Sequence, residues 1–259
     1  MTASVKRGLI LFFFIMFLVY GFFPAAAEAA QPIQFPEVNL QIGGEGEEDP
    51  EALVGFLQLL LIIALLTLAP AFVILTTSFT RIVIVLSFAR NAMATQQIPP
   101  NQVLIGLALF LTFFVMQPTL AEINEIAVQP YIEGEIEQEL ALELGAEPLR
   151  DFMYYHTREK DLSLFVNISG MEQPETQADV PLHVLIPAFV ISELKTAFQM
   201  GFMLYVPFLI IDMVVASTLM SMGMFMLPPV IVSMPFKLLL FILVDGWHLV
   251  VRSLLESFN

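Results

Sequence analysis

The stretch that decides the fold runs from Pro187 to Lys237 and reads PAFVISELKTAFQMGFMLYVPFLIIDMVVASTLMSMGMFMLPPVIVSMPFK. It places four charges, Glu193, Lys195, Asp212 and Lys237, in otherwise apolar sequence. Midway, the methionine-rich run Met220 to Met226 stops at Pro228-Pro229. Proline ends a helix by removing a donor and clashing with the preceding turn, so two long apolar helices are expected to fold back on each other about a soft turn. Reflecting the chain about the midpoint of Gly223 to Met226 sets Asp212 opposite Lys237. A charge in hydrocarbon costs at least about 2.5 to 3.5 kcal/mol, so an ion pair between Asp212 and Lys237 that clamps the hairpin is the expected arrangement. The alternative is that each charge sits at a membrane edge, with the lysine stem snorkelling to water.

Composition points the same way. With 58% hydrophobic and only 14% charged residues, the chain reads as a membrane protein. Uncharged apolar runs at 52–80, 102–121, 196–211 and 213–236 give four helical segments in two pairs. The expected fold class is therefore an all-α membrane protein, two long kinked apolar helical hairpins with a small acidic helical region between them. The net charge of -15 is concentrated, with seven acids and no base in 28–51 and fourteen acids against three bases in 122–179. That balance excludes nucleic acid as a partner. Cysteine is absent, which removes disulfide and thiol chemistry.

In chain order, Lys6 and Arg7 precede an apolar run and an Ala27-Glu28-Ala29 site, which predicts a secretory signal over residues 1–29, cleaved after Ala27 or Ala29. A short uncleaved anchor is the alternative. Residues 30–51, rich in Pro, Gly and acid, read as a tether. The first apolar hairpin is expected over 52–119, its two helices separated by a segment that carries Arg81 and Arg90. By the positive-inside rule that segment faces the cytoplasm and the acidic flanks face the periplasm. Pro70 and Pro118 should kink or end their helices. In the acidic region, 120–181, Ile132, Ile136, Leu140 and Leu144 recur every fourth residue among glutamates, which predicts an amphipathic helix ending near Gly145 or Pro148. A second short helix is expected over 149–165 and a linker over 167–179. The second hairpin fills 182–259. Glu193 and Lys195, two apart, lie on nearly opposite sides of a helix, so their partners are expected on neighbouring subunits.

The blocks PAFVILTTSFTRIVIVLSFARNAMATQQIPPNQVLIGLALFLTFFVMQ from Pro70, LRDFMYYHTREKDLSLF from Leu149, PAFVISELKTAFQMGF from Pro187, and the run from Asp212 to PFKLLLFILVDGW ending at Trp247 together resemble the FliP family of the flagellar type III export apparatus. The resemblance implies a core subunit of an export gate in the bacterial inner membrane, part of the flagellar basal body. It implies a homo-oligomer of five copies, assembled with FliQ-type and FliR-type subunits and joined by FlhA and FlhB, and passing unfolded flagellar export substrates. It also implies that many of the apolar hairpins are held in an assembly raised toward the periplasm rather than crossing lipid. The family's methionine-rich gating loop maps onto Met224, Phe225 and Met226, with phenylalanine where many relatives have a third methionine. Arg81 and Arg90 match arginines of the first block, with a role in positioning the cytoplasmic loop. Flexible, polarizable side chains suit a seal that closes on itself and yields to varied polypeptides, whereas the plain alternative is that these residues pack a core.

An enzyme would need Asp212 and Asp245 to act as an intramembrane carboxylate pair sharing a proton, but Lys237 offers Asp212 a simpler partner. No zinc-type spacing or nucleophile motif is present and no cofactor is expected. An ion-coupled secondary transporter is the stronger rival, because buried acids and lysines are what proton pathways use.

Overall fold

This computed structural model describes residues 50–95, 97–171, 174 and 176–258, and among them every regular element is helical. The expected signal and most of the expected tether lie outside the described residues. Nine α-helices follow one another: α1 Pro50–Thr76, α2 Phe79–Ala92, α3 Asn101–Ile123, α4 Gln129–Ile132, α5 Gln138–His156, α6 Glu159–Ser169, α7 Leu182–Ser221, α8 Pro229–Leu243 and α9 Gly246–Glu256. A π-helical turn, Asn124–Val128, joins α3 to α4, and a 3-10 turn, Gln177–Asp179, precedes α7.

The central element is α2, a helix within the segment expected to separate the two apolar helices of the first hairpin. Its buried residues Ile82, Val85, Leu86, Ala89 and Ala92 follow the spacing of one helical face, and that stripe packs on α7 and α3. At the break before it the Thr76 and Thr77 hydroxyls donate back to the Phe72 and Val73 carbonyls, at 2.9 and 2.8 Å. Against α7 the approach is close. A Cβ added at Gly201 would fall 2.5 Å from the Phe88 ring, so only glycine admits this crossing. Phe88 then meets Phe198 edge to face at 5.4 Å.

Two apolar clusters result. The larger joins α2 with Leu104 and Ala108 of α3, Ala197 and Phe208 of α7, Phe241 of α8, and Val250 and Leu254 of α9. The smaller joins Met153 of α5, Val166 of α6 and Val184, Leu185 and Phe189 of α7. Both are strung along α7, whose 40 residues extend about 60 Å at 1.5 Å per residue. That is roughly twice the hydrocarbon thickness, so α7 is longer than a single span requires. Its N-terminal half carries α5 and α6.

Several element boundaries differ from expectation for identifiable reasons. α1 and α3 run past Pro70 and Pro118. The predicted helix over 132–144 is divided: Ile132 closes α4, Gly134 turns the chain at φ 75°, and α5 begins at Gln138. α5 then continues through Gly145 and Pro148 to His156, with Gly145 packed at ordinary contact distance from Ala127 and Pro148 buried. The predicted second helix is consequently split at Thr157, and α6 reaches Ser169, three residues into the expected linker.

Among the described residues three helices are long and apolar enough to cross a membrane, within Val54–Thr76, Asn101–Ile132 and Leu182–Ser221. α8 and α9 qualify together but bend by 64°. At the bend Asp245 adopts a left-handed conformation, φ 51°. Gly246 lies against the Phe241 ring, 2.3 Å from where a Cβ would stand. The fold is an all-α membrane protein.

Candidate functional site

The hairpin tip is defined by backbone and leaves its side chains outside. α7 stops at Ser221, where Gly223 takes φ 75° and donates to the Met220 carbonyl at 3.0 Å, while Met224 donates to Leu219 at 2.9 Å. These two bonds close the helix end in a Schellman motif. Pro228 then precedes α8, and Pro229, lacking an N–H, suits its first position. Between these stops Met224, Phe225 and Met226 are 42, 78 and 96% exposed. The core-packing alternative therefore does not describe them within one chain.

Some nine residues behind the tip, about 14 Å along the helix, Lys237 Nζ donates to Asp212 Oδ2 at 2.6 Å and Ser233 Oγ donates to Asp212 Oδ1. Lys237 and Ser233 are buried while Asp212 keeps one edge open, its side chain 21% exposed. Each carboxylate oxygen thus has a donor, which is the condition for holding charge between apolar helices.

A second polar node lies nearer the N-terminal end of α7. Arg81 of α2 forms a two-pronged pair with Glu193, Nε to Oε2 at 2.9 Å and Nη2 to Oε1. Its remaining Nη1 donates to the Ser257 carbonyl at 2.7 Å and to the Ser257 hydroxyl at 3.0 Å. The Phe258 ring covers the guanidinium, centroid 3.9 Å from Cζ. Phe258 in turn touches His156 and Phe152, at 5.3 and 6.4 Å between centroids. One turn of geometry away, Ser192 Oγ donates to Asp161 Oδ2 at 2.7 Å and accepts from the Arg158 backbone N–H at 3.1 Å, tying α6 to α7.

Against known proteins, the FliP family pattern matches residues 62–254. A flagellar biosynthetic protein FliP from Bacillus subtilis (strain 168) is 60% identical over 210 residues, which is 81% of this chain and 95% of that protein. Proteins of the same name from Aquifex aeolicus (strain VF5) and Borreliella burgdorferi (strain ATCC 35210 / DSM 4680 / CIP 102532 / B31) are 48 and 45% identical. They cover 87 and 95% of this chain, and 93 and 97% of their own lengths. This chain belongs to the FliP family. As a FliP it is a flagellar biosynthetic protein, a component of the flagellar export apparatus, and the ion-coupled transporter alternative is not supported.

Within this FliP chain two residue assignments need correction. Glu193 does not await a neighbouring subunit, since Arg81 of the same chain occupies its carboxylate. Arg81 is not a loop arginine: α2 is a helix buried on one side, and a guanidinium there is tolerated because all its prongs but the face under Phe258 are hydrogen bonded. Arg90, at the other end of α2, does serve the following connection, its Nη1 donating to Asn101 Oδ1 at 2.5 Å and to the Pro99 carbonyl at 3.3 Å. Lys195 is exposed on α7, and its charge acts on Asp161. Sequence reasoning missed Ser192, Ser233 and the C-terminal pair Ser257 and Phe258. Ser233 carried a usable signal, standing one helical turn before Lys237 on the same face; Ser257 carried none.

Two protonation states follow from this packing. Burial acts to raise the Asp161 carboxyl, but the hydrogen bonds from Ser192 and Arg158 and the charges of Arg158 and Lys195 outweigh it, leaving the group below its usual range. Burial, with the Arg81 charge as a second cause, lowers the His156 imidazole from 6.5 to about 4.

The folded protein refuses a proton at His156 that the unfolded chain accepts, so stability should fall as pH drops from about 6.5 toward about 4. Thermal unfolding in mild detergent across that window should show the loss, and His156→Phe should flatten it. An identical slope in the variant contradicts the assignment. For the hairpin, Asp212→Lys and Lys237→Asp should each lower recovery of folded protein from membranes several-fold, and the two together should regain much of it. A double variant as poor as either single one would remove the pairing argument.

Proposed function

We propose that the chain is a core subunit of the flagellar type III export gate. In this reading it assembles in several copies, five by family resemblance, with FliQ-type and FliR-type subunits and alongside FlhA and FlhB. Together they form the path by which unfolded flagellar subunits leave across the bacterial inner membrane. The observation that carries the reading is the hairpin tip: Met224, Phe225 and Met226 stand outward from a turn whose backbone is closed on both sides. A rigid stem with a soft apolar tip is what a seal requires. The stem keeps the tips of several copies at one level, while thioether side chains repack around successive substrates without a fixed shape.

The length of α7 supports placing much of the chain on the periplasmic side, together with the eight exposed glutamates between Glu122 and Glu147. The same reading makes the subunit non-enzymatic, because Asp212, the acid an intramembrane protease would require, is engaged by Lys237 and Ser233. The long apolar face of α1, exposed from Leu57 to Phe72, and the exposed Phe110, Phe113 and Phe114 of α3 supply surface for unlike neighbours and lipid.

Replacing Met224, Phe225 and Met226 together by alanine should leave the complex assembled but let ions or small solutes leak, raising conductance of the inner membrane and slowing growth. A tight membrane with normal swimming in that variant would end the gate reading.

A further inference from the structure

The chain carries two surfaces, one along α5 and the other on α6, that complement each other and stand exposed within one copy. The first is an apolar groove of about 500 Å³ between the end of α3, the π-helical turn, α4 and α5, lined by Ile123, Val128, Tyr131, Ala141, Leu142 and Leu149. Leu142 is 68% exposed. Around this groove residues 122–149 hold eight glutamates and no lysine or arginine, and all eight, Glu122, Glu125, Glu133, Glu135, Glu137, Glu139, Glu143 and Glu147, are exposed. The second surface is the outer face of α6. Lys160, Leu164 and Ile168 stand four apart and form one stripe, with Leu164 50% and Ile168 72% exposed and Lys160 exposed at its N-terminal end. Lys195 of α7, whose charge reaches Asp161 on α6, adds a second exposed cation beside it.

We propose that the α6 stripe of one copy lies in the acidic-rimmed groove of the next copy, head to tail. The proposal rests on the homo-oligomeric reading above and assigns it an interface. Charge complementarity selects this occupant. Groove against groove would set glutamates against glutamates, and stripe against stripe would set Lys160 and Lys195 against their own kind, so a two-fold contact through either face is disfavoured. The stripe runs about 12 Å along its helix, and a short amphipathic helix laid into an apolar groove is a recurring mode of recognition. Leu164 and Ile168 fill the groove, while Lys160 and Lys195 meet the glutamates at its rim. Because the two surfaces differ and lie on different helices, each copy can use both at once, and the contact closes into a ring or climbs as a helix.

The chain has no native cysteine, so disulfide trapping reads this contact directly. Leu142→Cys and Ile168→Cys, combined in the full-length chain and oxidised in membranes of cells making the whole export set, should give a ladder of dimer, trimer and higher species. Each single variant should give none. Leu164→Glu, at an exposed position that leaves folding intact, should reduce the ladder at least about tenfold, the effect of one well-buried apolar contact. The proposal is overturned by dimers from either single-cysteine variant, by cross-links running only to an unlike protein, or by no ladder from a double variant that still migrates as an oligomer in mild detergent. Swimming restored by the unaltered chain in a strain lacking its own FliP tests the export reading separately, so loss of the ladder and loss of that reading are distinguishable.

Discussion

The fold depends on one buried ion pair. Arg81 and Glu193 are 112 positions apart in sequence and almost wholly removed from water, 4 and 0% exposed. Taking two charges out of water costs several kcal/mol apiece, and the pair returns that only if every polar atom finds a partner. Here the guanidinium meets both carboxylate oxygens, the Ser257 carbonyl and hydroxyl, and the Phe258 face. The geometry therefore fixes α2 on α7 in a single register and draws the C-terminal end of the described chain onto the same point. A slip of either helix would strand a charge in an apolar core, so the pair acts as a lock on alignment more than as a source of net stability.

From that lock the rest of α7 follows in order. Ser192, the neighbour of Glu193, reaches Asp161 and holds α6. Asp212, nineteen residues and about 28 Å further along, holds α8 through Lys237 and Ser233. Polar contacts thus recur along one long helix at the places where other helices must be aligned, with apolar clusters filling the intervals. The end beyond the last of them is the tip, where Met224, Phe225 and Met226 stand exposed. Rigidity behind and softness in front are produced by the same element, and this division suits a subunit that must hold a seal while tolerating passage.

The legibility of this arrangement in the sequence varied with distance along the chain. Asp212 and Lys237 flank a visible turn at equal spacing, so simple reflection brings them opposite each other. Arg81 and Glu193 have no such relation: each appears in an apolar run far from the other, and the arginine reads most simply as positioning the loop at the membrane edge. Only tertiary packing reveals that it is central. The breaker residues misled for a related reason. Gly145 and Pro148 end helices when local terms decide, but here Gly145 faces Ala127 and Pro148 is buried by its neighbours, and α5 continues. Helix type was readable from periodicity, whereas boundaries and long-range partners were set by contacts that no window of sequence contains.

The claim that the Arg81–Glu193 pair aligns the whole chain is tested most directly by a double-mutant cycle in thermal or denaturant unfolding of the detergent-purified protein. Arg81→Met and Glu193→Leu should each cost about 3 to 5 kcal/mol, because each leaves one buried charge alone, while the double variant should cost less than either. Losses that simply add in the double variant would show two independent residues and contradict the account.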